Sequence, residues 1–356
     1  MTSITFAQLG CGRVAQRYLN VFVNGEITGG SVIDCCDTDA AKAEAYAAAT
    51  GAKVWTDMDA MLAATKADCV IVSTPSGDHA AHIRAVLEAG RHCLTEKPMT
   101  MRLEDAHALI ALAAEKGLMF CVVKQNRYNP AMIKVKQTVD SGRLGRLVLG
   151  TVRVRWMRDM SYYLSDPWRG KFVSDGGCIT NQGIHHIDAL QWVMGPIEAV
   201  CATGTARLND IEVDDTTVGV VRFANGALGA IEITTAARPE DTEASLSILG
   251  EGGTIVVGGI ALNNIDTWTM VNAQPDDASV RETCSQEVPN GYGWGHAPLL
   301  QDIIGRLAAG SVEPPISGES GSRSLTIVHA LYRSMETGGW VPLAKDPSSA
   351  RLGIGA

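Results

Sequence analysis

The sequence predicts an α/β fold in two parts: an amino-terminal doubly wound parallel sheet, then a carboxyl-terminal α/β domain built on a mostly antiparallel open sheet. Short apolar strands alternate with amphipathic helices as far as Val123, the pattern of a parallel sheet covered on both faces. Beyond Val123 the strands alternate apolar and polar residues instead, as a sheet with one buried face does. A chain of 356 residues also exceeds the size at which one hydrophobic core keeps growing. The expected division is 1–124, 125–343 and a tail at 344–356.

The first strand is Thr5–Leu9, followed by Gly10-Cys11-Gly12-Arg13-Val14-Ala15 and a helix starting near Val14. Gly10 permits a tight turn, Gly12 lets a pyrophosphate approach the backbone, and Ala15 is small enough for close helix–strand packing. Arg13 and Val14 then stand where free helix amides meet the phosphates of a dinucleotide. A second apolar run, Ser31–Cys36, ends in Asp37, 27 positions after Gly10. An acid there accepts from ribose hydroxyls, which favours NAD over NADP. The same residue, with Thr38 and Asp39, also suits the start of the next helix.

That helix runs from Ala41 to Thr50 and stops at Gly51, and a buried strand at Ala67–Ser73 closes on Thr74-Pro75. Thr74 and Pro75 end a central strand, where a loop touches a dinucleotide, and His79 lies just beyond in a capping or packing position near it. The helix Asp78–Ala89, the strand His92–Thr95, the helix Leu103–Lys116 and the strand Met119–Val123 complete the series. Glu96-Lys97-Pro98 leaves the strand at Thr95, which puts Glu96 and Lys97 beside the expected cofactor ring.

In the second part a helix is expected around 132–140 and strands at 147–156, 199–206, 216–223, 227–234, 244–249, 254–257 and 266–271. Asn225-Gly226 marks a two-residue hairpin turn. Helices near 184–193, 297–309 and 325–336 are expected to cover one side of this sheet, leaving the other for a partner subunit. The stretch from Met157 to Gly170 gathers rings and guanidinium groups in a chain that is only 5% aromatic. Arg155, Arg158, Tyr163, Trp168 and Arg169 are the candidate contacts to a negatively charged sugar derivative, by stacking and by paired hydrogen bonds. An interface loop with internal pairs such as Arg158–Asp159 is the bland alternative.

Lys97 can donate to a reacting oxygen and stabilise developing negative charge. His185, in the run Asn181-Gln182-Gly183-Ile184-His185-His186-Ile187-Asp188, is the candidate base, since an imidazole accepts a proton near neutrality. Asn181, four positions earlier, is expected on the same helix face, where it meets a sugar hydroxyl or steadies the ring. His186 turns about 100° away and is expected to pack. No metal is required, because no histidine or cysteine spacing makes a zinc pattern.

A net charge of −9, from 39 acidic and 30 basic residues, argues against a nucleic-acid binder. Nine scattered cysteines without metal-ligand spacing suit reduced thiols. The amino terminus lacks a signal-like segment and no stretch is long enough to span a bilayer, so a cytoplasmic location without membrane attachment is expected.

The glycine turn, Asp37, Thr74-Pro75, Glu96-Lys97-Pro98 and the Asn181–His185 spacing resemble the glucose–fructose oxidoreductase, inositol dehydrogenase and rhizopine-catabolism (Gfo/Idh/MocA) family, from the first strand to about Leu343. The resemblance implies a Rossmann domain with bound NAD or NADP, an α/β substrate domain, and homodimers or homotetramers through its open sheet. It places the catalytic lysine at Lys97 and the catalytic histidine at His185, while many members carry aspartate where this chain has Asn181. Within the family, Gln125-Asn126-Arg127-Tyr128, Tyr162-Tyr163, Trp168-Arg169-Gly170, Asp175-Gly176-Gly177, Asn181-Gln182 and Tyr292-Gly293-Trp294-Gly295-His296 are similar to enzymes that oxidise C3 of UDP-N-acetylglucosaminuronic acid. The implied reaction is NAD-dependent oxidation of a sugar secondary hydroxyl. Inositol or free-sugar dehydrogenation, reduction of a nucleotide-linked keto sugar, and a non-catalytic NAD-binding role are the alternatives.

Overall fold

A computed structural model describes residues 3–345 and 347–355. It resolves into two compact units, one formed by Met1–Val123 with Trp294–Ser322 and the other by Lys124–Gly293 with Arg323–Ala356. The return of 294–322 to the first unit is a feature that a single boundary near 124 does not contain.

The first unit alternates β1 (Ile4–Leu9), α1 (Ala15–Val23), β2 (Gly30–Cys36), α2 (Ala40–Thr50), β3 (Lys53–Trp55), α3 (Met58–Ala64), β4 (Cys69–Val72), α4 (His79–Glu88), β5 (His92–Thr95), α5 (Leu103–Lys116) and β6 (Phe120–Val122). All paired strands of its sheet are parallel, in the order β3-β2-β1-β4-β5-β6. The order reverses between β1 and β4, so a crevice opens where their carboxyl-terminal turns diverge. Local chemistry explains the helix ends. Asp39 caps α2 by accepting from the Ala41 amide at 3.1 Å, and Gly51 and Gly117 end α2 and α5 in the left-handed region. β3 and α3 were not anticipated. The helix is capped by Asp57, whose side chain accepts from the Ala60 amide at 2.8 Å.

The second unit holds α6 (Pro130–Asp140), β7 (Leu147–Arg155), α7 (Met160–Leu164), α8 (Cys178–Asn181), α9 (Ile184–Met194), β8 (Ile197–Thr205), β9 (Thr216–Phe223), β10 (Leu228–Thr234), β11 (Glu243–Gly250), β12 (Gly253–Gly258), β13 (Asn264–Met270) and α10 (Val280–Thr283). Later come α11 (His296–Ala308), α12 (Gly318–Thr337) and β14 (Val341–Pro342). Eight strands pair in the order β13-β12-β11-β7-β10-β9-β8-β14, and only β7 with β10 runs parallel. Asn225-Gly226 makes the β9–β10 hairpin, with Gly226 at φ 87° and the Asn225 side chain accepting from the Ala227 amide at 3.0 Å. The apolar face of this sheet packs on α9, where Gly150 has no room for a side chain against Met194.

Helix α11 was expected on the second sheet and instead packs in the first unit. Gln301 accepts from the Thr28 amide at 2.8 Å, and Ile304 lies so close to Gly30 that a Cβ there would meet it at 2.6 Å. The helix carries an apolar stripe that fits either sheet, so its sequence does not choose. The tail is packed as well: Leu352 is buried and the Gly353 amide donates to the Phe172 carbonyl at 2.9 Å. The nine cysteines are free thiols, seven of them buried. Among the described residues no helix is long and apolar enough to cross a membrane.

Candidate active site

On the first unit, the turn after β1 is shaped for a dinucleotide. Gly10 has φ +86°, and a Cβ on it would lie 2.8 Å from the Ser73 carbonyl, so the turns after β1 and β4 are pressed together there. Ser73 reinforces the contact by donating to the Gly10 carbonyl at 2.9 Å. At Gly12 a Cβ would meet nothing within 4 Å, which leaves the turn open on its outer side. Helix α1 begins without a side-chain cap and without an acid in its first turn, while Arg13 stands exposed beside it. An uncapped helix start with a nearby cation suits phosphate. Asp37 accepts from the Cys11 amide at 2.8 Å and the Asp39 amide at 2.9 Å, so its carboxylate is fixed beside the glycine turn as ribose recognition requires. These residues fit NAD.

Thr74 and Pro75 follow β4 at the crevice. The Thr74 hydroxyl pairs with His82 Nδ1 at 2.8 Å, and burial lowers the His82 pKa against the opposing pull of Asp78 and Asp59. His79 is buried, with Nδ1 at 2.7 Å from the Pro98 carbonyl and Nε2 at 2.9 Å from that of Thr74.

Lys97 is half-buried immediately after β5, and its peptide with Pro98 is cis. Glu96 faces inward rather than toward solvent. Its carboxylate accepts from Tyr18 OH at 2.8 Å and from the Lys97 amide at 3.3 Å, and His296 Nε2 approaches to 3.5 Å. Burial acts to raise the Glu96 carboxyl, but the bond to His296, the nearby His296 and Lys97 and the Tyr18 hydroxyl hold it below its ordinary value. Burial and the adjacent carboxylate push Tyr18 well above the ordinary phenol range. Nothing in the local sequence singles out Tyr18, and only the late glycine–histidine segment points to His296.

On the second unit, His185 is the second residue of α9 and half-buried, while its neighbour His186 is 1% exposed and stacks edge-on to Trp156 at 5.7 Å between ring centroids. His186 packs, as expected, and burial pushes its pKa down to about 4. The expected shared face of Asn181 and His185 is corrected by the structure: α8 ends at Asn181, and a turn at Gln182-Gly183 precedes α9. Gly183 packs closely on β10 there, since a Cβ would come within 2.3 Å of the Ile233 side chain. Asn181 donates to Asp175, which also accepts from the Gly170 amide at 2.7 Å. Asp188 receives two bonds of 2.8 Å from Arg127, with Lys124 Nζ at 3.7 Å.

The aromatic stretch gathers partly at this turn. Arg169 lies over Tyr162 and Trp168, 4.3 and 4.5 Å from the ring centroids, and donates to Tyr162 OH at 2.5 Å. Gln182 donates to the same hydroxyl at 3.1 Å, tying Arg169 and Tyr162 to the segment between Asn181 and His185. Tyr163 is buried and its hydroxyl pairs with Thr235 at 2.9 Å. Arg158 pairs with Asp241 at 3.1 Å and lies over Trp156, not with the adjacent Asp159. The structure does not bring Arg155 to His185. Arg155 stands on the sheet face opposite α9, where it binds Glu232 at 2.6 Å and Glu243 at 3.4 Å. Asp175, Tyr162 and Gln182, given no role of their own in the sequence beyond the pattern that resembles the C3-oxidising enzymes, join the candidate site through their contacts with Asn181 and Arg169 and with each other.

A Gfo/Idh/MocA oxidoreductase model with an NAD-binding Rossmann fold matches residues 4–124, and the family's C-terminal domain model matches 132–256. The chain belongs to the Gfo/Idh/MocA family and is an NAD-dependent oxidoreductase. It is similar to the WlbA dehydrogenase from Bordetella pertussis, solved in complex with NADH and UDP-GlcNAcA, at 37% identity and TM-score 0.89, covering 96% of this chain and 98% of that one. The WlbA dehydrogenase from Chromobacterium violaceum, solved with the same two molecules, matches at 35% identity and TM-score 0.89, covering 96% of each chain. A D-glucoside 3-dehydrogenase from Escherichia coli is 27% identical, over 96% of this chain and 99% of that one.

Proposed function

We propose that the chain oxidises a secondary hydroxyl of a sugar with NAD, and specifically C3 of a UDP-linked N-acetylhexosaminuronic acid. The observation carrying this reading is the end-to-end likeness, at 37% and 35% identity, to two dehydrogenases solved with NADH and UDP-GlcNAcA. Relatives named as dehydrogenases of inositol, apiose, levoglucosan and glucosides stand at 24–29%. The Arg169–Tyr162–Gln182 cluster supports it with ring faces and polar groups suited to a sugar, the Arg169 guanidinium being held by Asp166 at 2.9 Å and by Tyr162.

When bound, NAD supplies the hydride acceptor. His185 takes the hydroxyl proton as the C–H bond yields its electron pair, and Lys97 donates to the oxygen as its negative charge develops. One secondary alcohol and NAD⁺ thus become a ketone, NADH and a proton. Asp175, through Asn181, steadies the turn that precedes His185. Lys97→Ala and His185→Ala are expected to fold and to bind NADH with little change while single-turnover NADH formation falls by roughly 10²–10⁴, the contribution of a positioned proton-transfer group. Near wild-type rates in both would overturn the assignment. Loss in Lys97→Ala alone would make the lysine the principal acid–base group.

D-glucoside 3-dehydrogenase and inositol dehydrogenases among the relatives favour a second reading, oxidation of an uncharged sugar or cyclitol. A panel of UDP-linked uronates, UDP-linked neutral sugars and free sugars separates the two by kcat/KM. The open sheet face carries Val218, Val220 and Leu228, about half exposed at 49%, 47% and 57%, and we propose that it joins copies into a dimer or tetramer.

A further inference from the structure

The turns after β1, β4 and β5 are linked by contacts made inside the first unit, and one buried imidazole closes the chain of contacts. Gly10 is pressed on the Ser73–Thr74 backbone, and Gln8 Nε2 donates to both the Gly10 carbonyl at 2.8 Å and Ser73 Oγ at 2.7 Å. β4 pairs directly with β5, so the turns at Thr74-Pro75 and Lys97-Pro98 are neighbours. His79, 1% exposed at the start of α4, lies between them, with Nδ1 2.7 Å from the Pro98 carbonyl and Nε2 2.9 Å from the Thr74 carbonyl. With both nitrogens committed to backbone, the ring has no donor left for a cofactor. A neutral imidazole carries one N–H and satisfies one of these carbonyls at a time; the protonated ring satisfies both. Burial, with His82 adding to it, lowers its pKa overall against the upward pull of the two carbonyls and Glu96, which favours the neutral ring.

We propose that His79 is a positioning residue that spaces the Thr74-Pro75 turn from the Lys97-Pro98 turn, one ring nitrogen serving cofactor seating and the other serving presentation of Lys97. The second half rests on the role given to Lys97 above. The two contacts are separable by substitution. An asparagine amide nitrogen falls near the place of Nδ1, so His79→Asn keeps a donor toward Pro98. A glutamine amide nitrogen falls near Nε2, so His79→Gln keeps a donor toward Thr74.

His79→Asn is expected to raise the NADH dissociation constant roughly three- to tenfold, the cost of one buried hydrogen bond, with kcat within about twofold of wild type. His79→Gln is expected to leave NADH affinity within about twofold and to lower kcat roughly ten- to a hundredfold, as small misplacements of reacting groups do. His79→Ala loses both. NADH affinity is read by fluorescence titration without turnover, and kcat with saturating NAD and UDP-linked uronate. Equal losses in the Asn and Gln variants, or constants within about twofold of wild type in His79→Ala, would overturn the proposal. Should the variants fail to fold, the wild-type ring is followed by NMR: its resonances are expected to shift on NADH binding and on Lys97→Ala replacement, and indifference to either overturns the link. Lys97→Ala run in parallel separates the two ideas. Turnover retained there defeats the lysine reading while the NADH arm for His79 still reports, and a dead Lys97→Ala beside indistinguishable Asn and Gln variants defeats only the positioning role.

Discussion

His186 is a buried imidazole whose two ring nitrogens make no hydrogen bond among the described residues, packed edge-on to Trp156. Protonating it in place would leave a cation in a low-dielectric site without an acceptor, so burial pushes its pKa down to about 4 from the ordinary 6.5. In the unfolded chain the ring titrates near its ordinary value. Above about pH 6.5 neither state binds the proton, and the ring contributes no pH dependence. As pH falls below that value the unfolded state gains a proton that the folded state refuses, so stability declines until the folded ring also titrates near pH 4. At pH 5 the difference amounts to about 2 kcal/mol, rising to about 3 kcal/mol once both states are protonated.

Replacing His186 with Phe or Leu removes this dependence, because neither side chain takes a proton. Urea unfolding at pH 8 and pH 5 is compared between wild type and each variant, which cancels every titration the chains share. Wild type is expected to lose about 2 kcal/mol more than the variants between the two pH values. The absolute stability of His186→Phe depends on how its larger ring fits, so Leu serves as the second substitution and only the pH-dependent difference is compared. NMR of ¹³C-labelled histidine follows the ring directly, the His186 signal being the one lost in both variants. A midpoint near pH 6.5, or parallel pH slopes in wild type and both variants, would refute the burial argument.

Gly12→Ala is expected to keep wild-type thermal stability while weakening NADH binding, since its Cβ meets nothing in the protein; Gly10→Ala, with a Cβ 2.8 Å from backbone, should lower both, as melting and fluorescence titration will report. Asp37→Ala should weaken NADH binding by roughly ten- to a hundredfold, the loss of bonds to a charged acceptor; unchanged affinity in a titration would remove it from the cofactor site. Arg169→Ala should raise KM for a UDP-linked uronate more than for its neutral analogue, and equal rises would assign the arginine to holding Tyr162. Tyr332→Phe removes the donor that reaches Asp214 at 2.5 Å and the acceptor of the Gly177 amide at 2.7 Å, and should cost roughly 1.5–3 kcal/mol in urea unfolding.

Elements whose local chemistry and tertiary packing agree were legible from sequence. Leu103–Lys116 was read to the residue because acids open its first turn, a lysine closes its last and Gly117 supplies the left-handed stop. Lys53–Trp55 is too short to show a period, and it exists because Asp34–Cys36 offers it an edge. The path of 294–322 back into the first unit was invisible for a different reason. Its helix has an apolar stripe, and a stripe reports that a partner exists without naming it.

The candidate site divides along the same line. The glycine turn, Asp37 and Glu96-Lys97 directly follow the strands β1, β2 and β5, and their chemistry follows from their place at strand ends. Arg155 failed the test that its own strand contained. In β7 the even positions from Gly150 to Val154 are apolar and buried against α9, the helix that bears His185, so the odd positions, Arg153 and Arg155 among them, had to face the other way. The period told which residues were accessible; only the identity of the covering helix told to what. Asn181 erred through a period extended too far, because α8 ends there and a turn at Gln182-Gly183 separates it from α9. Side chains that act at a distance in sequence, such as His296 on Glu96 and Asp175 on Asn181, carry no periodic signal and are found by the contacts they make.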